Sequence, residues 1–236
     1  MLKDNEILVR KVYELTNIEE AEIFRNTWIG IVEERGMEIR DVGIGDKVVV
    51  VGIHAGDKVI VPEYLFEKIP DGLEDKLAVF GGIGAFVIQA VRESGLTFGE
   101  KAVVLGHGVL KELTSQVIAL FGIQSLGLDF ACKGNVEIDG VFLCPKGEAD
   151  INLIANSLRN KAVVIVLTQG HIDFSPELLQ EKMLKLIFPE HPQLKESNVY
   201  FPKAYIRWGI KEDLRLFLKL LCEGKIKIGE AGYEKN

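Results

Sequence analysis

The residues best placed to do chemistry lie in one short stretch, Leu105-Gly-His-Gly-Val-Leu-Lys111. It joins the apolar run Ala102-Val-Val-Leu105 to a helical pattern from Leu110 to Phe121. A glycine-rich turn between strand and helix is the setting in which backbone cradles a phosphate. Gly106 permits the tight turn and Gly108 lets the chain approach a pyrophosphate, while the helix N-terminus offers partial positive charge and free N–H groups. The next run, Ile123 to Asp129, reads as a strand ending in an acid about 20 residues further on. A carboxylate there suits an adenosine ribose and disfavours a 2′-phosphate, which points to NAD rather than NADP. The third glycine of the fingerprint is missing, because Lys111 stands in its place. That lysine either neutralises a phosphate, fills the pocket, or is a solvated first-turn residue. His107 either donates to a phosphate or is an exposed loop residue. The plain alternative is that Gly106 to Gly108 only turn the chain and Asp129 is a solvated strand end.

These residues need a frame to hold them. From Lys101 onward the texture alternates: strands at Ala102–Leu105, Ile123–Asp129, Ile138–Cys144 and Ala162–Leu167, and helices at Leu110–Phe121, Glu148–Leu158 and Pro176–Ile187. Continuous apolar runs between helices are strands of a parallel sheet covered on both faces. Lys211–Glu223 is amphipathic and Gly224 ends it. The first hundred residues are β-rich, with strands at Ile7–Tyr13, Trp28–Glu33, Lys47–Val51 and Lys58–Val61. Two share a phrase, Gly45-Asp-Lys-Val-Val-Val50 and Gly56-Asp-Lys-Val-Ile-Val61, and read as neighbouring strands of a small barrel or meander. A helix from about Glu74 to Glu93 carries Phe80-Gly-Gly-Ile-Gly-Ala85. Its glycines predict either a kink or close approach by another backbone.

Composition narrows the partners. The chain has 236 residues, 47% hydrophobic and 27% charged, enough apolar content for a packed core. A net charge of −7 and a pI near 5.3 argue against nucleic acid as a partner. The first residues lack a signal-peptide pattern, and the apolar stretch Ala78–Val91 is too short to cross a bilayer, so no membrane partner is expected. Cys132, Cys144 and Cys222 are widely spaced and suggest a reducing, cytoplasmic compartment.

The sequence resembles the medium-chain dehydrogenase/reductase superfamily, the zinc-type alcohol dehydrogenase and quinone reductase group. The matching patches run in order: Gly45-Asp-Lys-Val48, His54-Ala55 before Val59-Ile-Val-Pro62, and Ile69-Pro-Asp-Gly-Leu73. Ala78–Ala85 with Gln89-Ala-Val-Arg92 follows, then Gly99-Glu-Lys-Ala-Val-Val-Leu-Gly106, Gln116 with Gly122, and Arg207-Trp208 with Asp213 to Gly224-Lys-Ile226. The resemblance implies an α/β fold, with a partial GroES-like β-rich domain at 1–75 and a Rossmann-like nucleotide-binding domain with a C-terminal helix at 76–236. It also implies NAD(P) in the crevice between them, a small-molecule substrate, and a homodimer formed through the last Rossmann strand, with Asn198–Phe201 as the candidate edge. Thr168 and Gly170 would end the strand that abuts the nicotinamide, and His54, in a loop near the expected cleft, is the candidate for acid–base work.

The departures shape the functional expectation. Where the family's zinc-binding Gly-His-Glu stretch belongs, this chain has Ile29-Gly-Ile-Val-Glu33, and the four-cysteine zinc lobe is missing. Zinc is therefore not expected. Only eight residues, Phe130 to Glu137, separate Asp129 from Ile138, too few for the usual helix and third strand. Two readings follow. One is a zinc-independent, NAD(H)-linked oxidoreductase of unknown substrate, in which protein orients the partners of a hydride transfer. The other is a catalytically inactive relative acting as a nucleotide-binding or protein-interaction module.

Overall fold

A computed structural model describes residues 2–14, 26–133, 136–144, 151–167, 175–189 and 208–229. The described residues fall into two compact units.

The first unit is built on an antiparallel sheet. Its strands are β1 (Glu6–Glu14), β2 (Trp28–Arg35), β3 (Lys47–Val50), β4 (Lys58–Pro62) and β5 (Phe66–Lys68), in the order β4-β1-β2-β3-β5. The two strands that share the Gly-Asp-Lys-Val phrase, β3 and β4, are thus not neighbours, because β1 and β2 lie between them. Similar local sequence makes both residues' runs extended, but partner choice is set by pairing across the sheet, which a local phrase does not encode. Ile7, Val9, Trp28, Ile29, Val48, Val49 and Phe66 are buried.

The helix expected over 74–93 is two helices, α1 (Asp75–Ala78) and α2 (Gly81–Ser94), broken at Val79–Phe80. Close approach is also present, by side chains. A Cβ on Gly81 would meet Leu214, one on Gly82 would meet Thr27, and one on Gly84 would lie 2.1 Å from the Phe217 ring. Asp75–Ser94 is long and apolar enough, by length and composition alone, to cross a membrane, but most of it is buried in the protein.

Leu214 and Phe217 belong to the last helix, α6 (Ile210–Cys222), which packs within this first unit although it lies far along the chain. Its inward stripe is Leu214, Phe217, Leu218 and Leu221. Its polar flank is tied down too. Lys211 Nζ donates to Asp41 Oδ2 at 2.9 Å, faces Glu63 Oε1 at 3.5 Å and sits 4.8 Å from the Phe66 ring centroid. Arg215 donates to both oxygens of Glu67, at 3.0 and 2.9 Å.

The second unit is a parallel sheet of β6 (Lys101–Leu105), β7 (Gln124–Leu126), β8 (Ile138–Leu143), β9 (Leu158–Val166) and β10 (Lys185–Ile187), in the order β10-β9-β8-β6-β7. Its helices are α3 (Gly108–Leu120), α4 (Leu128–Ala131) and α5 (Pro176–Lys182). Val103, Leu105, Val141, Leu143, Val164 and Val166 form one core layer. The order is that of a dinucleotide-binding sheet whose third strand is absent among the described residues, with β7 at the edge.

Several boundaries differ from expectation. The run 123–129 is not one strand: β7 stops at Leu126, and Asp129 lies in the first turn of α4. Pro176–Ile187 is a helix to Lys182 and then β10, the switch being made by Met183 in the left-handed conformation. The segment read as helix over 148–158 is a 3-10 turn at Ile151–Ser157, with 148–150 outside the described residues.

Candidate functional site

The glycine loop leaves the C-terminal end of β6 and enters α3. From β6 the chain passes to β7 on one side, and β8 pairs on the other, so the strand order reverses between β6 and β8. Open α/β sheets bind ligands outside the carboxyl ends of their strands at such a switch point. Gly106 and Gly108 have φ of +106° and +85°, in the region that favours glycine. His107, between them, is the N-cap of α3, extended and exposed, and its side chain makes no capping hydrogen bond. The first-turn N–H groups of α3 are therefore not taken by their own cap, and they suit an anion.

Around this loop the structure fixes details that spacing left open. Lys111 is exposed, in the first turn of α3. Its neighbour Glu112 turns the other way, accepting the Gly229 N–H at 2.9 Å. Asp129 is exposed as well, three residues beyond the end of β7, which runs parallel beside β6. The sheet thus brings Gly106, His107, Gly108, Lys111 and Asp129 to the same end of two adjacent strands. Phe130 is exposed beside Asp129.

One contributor was not legible as a site residue. Cys144, read only as one of three scattered cysteines, follows β8 and donates its N–H to Leu105 O at 2.9 Å. Its carbonyl lies against Gly106, where an added Cβ would come within 1.7 Å of the oxygen. The signal for it is positional: it is the residue after the strand that pairs with β6.

His54 belongs to the other unit, in the loop between β3 and β4. It is exposed, and its Nδ1 lies 3.2 Å from Asn26 Oδ1. Trp28, fully buried, donates its indole N–H to Ile53 O at 2.8 Å and so anchors the residue before it. Thr168, Gly170 and the Asn198–Phe201 segment lie outside the described residues.

At the stretch where zinc-binding residues would fall, the described residues are engaged otherwise. Gly30 is wedged in β2 against Val9, Arg10 and Trp28. Glu33, the acid of that stretch, accepts from Lys58 at 2.6 Å and Arg10 at 3.0 Å, and these bonds hold its carboxyl below the usual range. Cys144 is buried, and Cys132 and Cys222 are exposed at separate points. Among the described residues no three His, Cys, Asp or Glu side chains group to hold a metal.

No family model matches the sequence, and no curated protein matches it. Solved structures do. A quinone oxidoreductase of Pseudomonas syringae pv. tomato DC3000 matches with a TM-score of 0.70 and 14% identity over 98% of this chain and 87% of that one. A protein of Sinorhizobium meliloti 1021 assigned as a zinc-binding dehydrogenase and bound to NADP gives 0.66 and 16% over 97% and 84%. A short chain alcohol dehydrogenase of Escherichia coli CFT073 complexed with NADH gives 0.67 and 13% over 96% and 83%. At such identities the likeness is one of fold. An antiparallel β-rich unit with a parallel-sheet unit is the architecture the resemblance to medium-chain dehydrogenases and reductases implies, and the chain has it.

Proposed function

We propose that this chain binds a nicotinamide dinucleotide at the loop Gly106–Gly108 and works as a zinc-independent, NAD(H)-linked oxidoreductase on a small-molecule substrate. The observation that carries the reading is the uncapped glycine loop at the switch point of the parallel sheet. The NADP- and NADH-bound structures of the same fold support a nicotinamide cofactor. When bound, that cofactor supplies hydride donor and acceptor. The chain's own residues bind and orient. Gly106 and Gly108 admit the pyrophosphate to the N–H groups of α3, His107 donates to it, and Lys111 neutralises its charge. Asp129 accepts from the adenosine ribose hydroxyls and repels a 2′-phosphate, which favours NAD over NADP. Thr168 and Gly170 serve the nicotinamide end of the cofactor, and His54 exchanges the proton that accompanies hydride transfer. The working form is a homodimer.

A second reading, a catalytically inactive relative that serves as a nucleotide-binding or protein-interaction module, is favoured by two observations. The third strand, one wall of an adenosine pocket, is absent among the described residues, and Lys111 replaces the third glycine.

Thermal unfolding with NAD, NADH, NADPH and AMP, all at one concentration about a hundred times the dissociation constant expected for NADH, separates a nucleotide-binding chain from a protein-interaction module. Binding to the folded state adds about 2.7 kcal/mol, roughly 5–10 °C for a chain of this size. NADH is expected to shift the midpoint and NADPH not, and Asp129→Ala to weaken NADH binding by about 1.5–3 kcal/mol, which removes about half or more of the shift. No shift with any nucleotide would leave the glycine loop as a turn and sink the first reading.

A further inference from the structure

We propose that Asn26 is the positioning residue for His54, holding its neutral ring as the Nδ1–H tautomer so that Nε2 is the atom that exchanges a proton. The inference rests on the proton-exchange role of His54 proposed above.

The geometry comes from the start of β2. Two residues there, Asn26 and Trp28, reach two successive positions of one loop. Trp28 is buried and donates its indole N–H to Ile53 O at 2.8 Å, while Asn26 Oδ1 lies 3.2 Å from His54 Nδ1. The loop is pinned at both ends as well, by Val51 N–H to Leu65 O at 2.9 Å and Lys11 N–H to Asp57 O at 3.2 Å. Gly52, with φ of +76°, makes the turn just before. The backbone under His54 is therefore fixed, and its ring is met by an acceptor from a residue 28 positions away.

Which nitrogen of an imidazole carries the proton is set by the hydrogen bond the other nitrogen makes. An amide oxygen accepts only, so it demands Nδ1–H and leaves Nε2 with its lone pair on an exposed ring. In the reducing direction the imidazolium gives its Nε2 proton to the substrate oxygen and is left as the tautomer that Asn26 holds. In the oxidising direction Nε2 takes that proton back.

The test is a long-range 1H–15N correlation spectrum of the full chain at about pH 9, well above the reference histidine value. His54→Gln identifies the resonance. The expected result is the Nδ1–H pattern in the wild type and in Asn26→Asp, which keeps the acceptor, and a shift toward Nε2–H in Asn26→Leu. A wild-type ring protonated on Nε2 overturns the proposal whether or not any variant folds. So does an Asn26→Leu spectrum that leaves the tautomer unchanged. Neither outcome depends on nucleotide binding, which the thermal-shift experiment reads separately.

Discussion

Gly106 lies so close under the Cys144 carbonyl that a Cβ would sit 1.7 Å from the oxygen, in a backbone with φ of +106°. The glycine that opens the candidate phosphate loop is thus required first by the neighbouring strand end. Residues that make a loop able to bind also make two strand ends able to meet.

Gly106→Ala is therefore expected to destabilise the protein with no nucleotide present. The backbone conformation alone costs about 1–3 kcal/mol for a residue with a Cβ, and crowding the Cys144 carbonyl adds about 1–3 kcal/mol. At roughly 2–4 °C per kcal/mol the midpoint should fall by at least several degrees. An unchanged midpoint in thermal unfolding would show that Cys144 does not fix this loop.

Gly84 sets helix propensity against packing. Alanine in a helix interior is better than glycine by about 1 kcal/mol. At this position, however, the added methyl meets the Phe217 ring at 2.1 Å, in a fully buried contact. Overpacking of this kind costs about 1–3 kcal/mol, so Gly84→Ala should lower the urea midpoint. Phe217→Ala should lower it further, because it costs about 3–5 kcal/mol of stability. In the double variant the alanine at 84 has room, and its penalty should disappear. A Gly84→Ala variant more stable than wild type would contradict the close approach.

The ion pairs that hold α6 make the first unit sensitive to acid. Burial raises the Asp41 carboxyl, but the Lys211 hydrogen bond and charge, with Arg215, bring it below the ordinary range. A carboxyl depressed in the folded state contributes stability that is present above its unfolded value, near pH 3.9, and is lost as pH falls through the folded value. Lys211→Met keeps much of the stem over Phe66 and removes the charge. It should cost about 1.5 kcal/mol at pH 7. It should also shrink the loss of stability between pH 5 and pH 3, because Asp41 is no longer held down. Equal pH profiles for variant and wild type in urea unfolding would show that this pair carries none of the acid sensitivity.

Much of the architecture was legible because apolar runs report burial directly. Ala102–Leu105 and Ala162–Val166 are parallel strands covered on both faces, and the sequence shows no alternation there. The glycine loop was legible because a positive φ restricts residue type. What failed has physical causes. The change from helix to strand at Met183 is made by a non-glycine residue in the left-handed region, so no glycine marks it. Asp129 fell beyond the strand because Gly127, extended at φ −70°, ends β7 without looking different from a strand residue. The residues of the glycine loop were legible, but the contacts that Asn26 makes with His54 and Cys144 with Gly106 were not. Each acts through a partner distant in sequence, at 28 and 38 positions, and neither belongs to a residue pattern.

The place of α6 in the first unit has a consequence for synthesis. The strands of the first unit are made at the beginning of the chain, and α6, which packs beside β5, near its end. At 5–20 residues per second, roughly 8–30 s separate translation of β5 from translation of α6. Through that interval the nascent β-rich unit presents an incompletely covered apolar face, while β6 to β9 of the second unit have already been made. The unit that begins first waits for a helix made near the end of synthesis, and the cell must keep it from aggregating meanwhile.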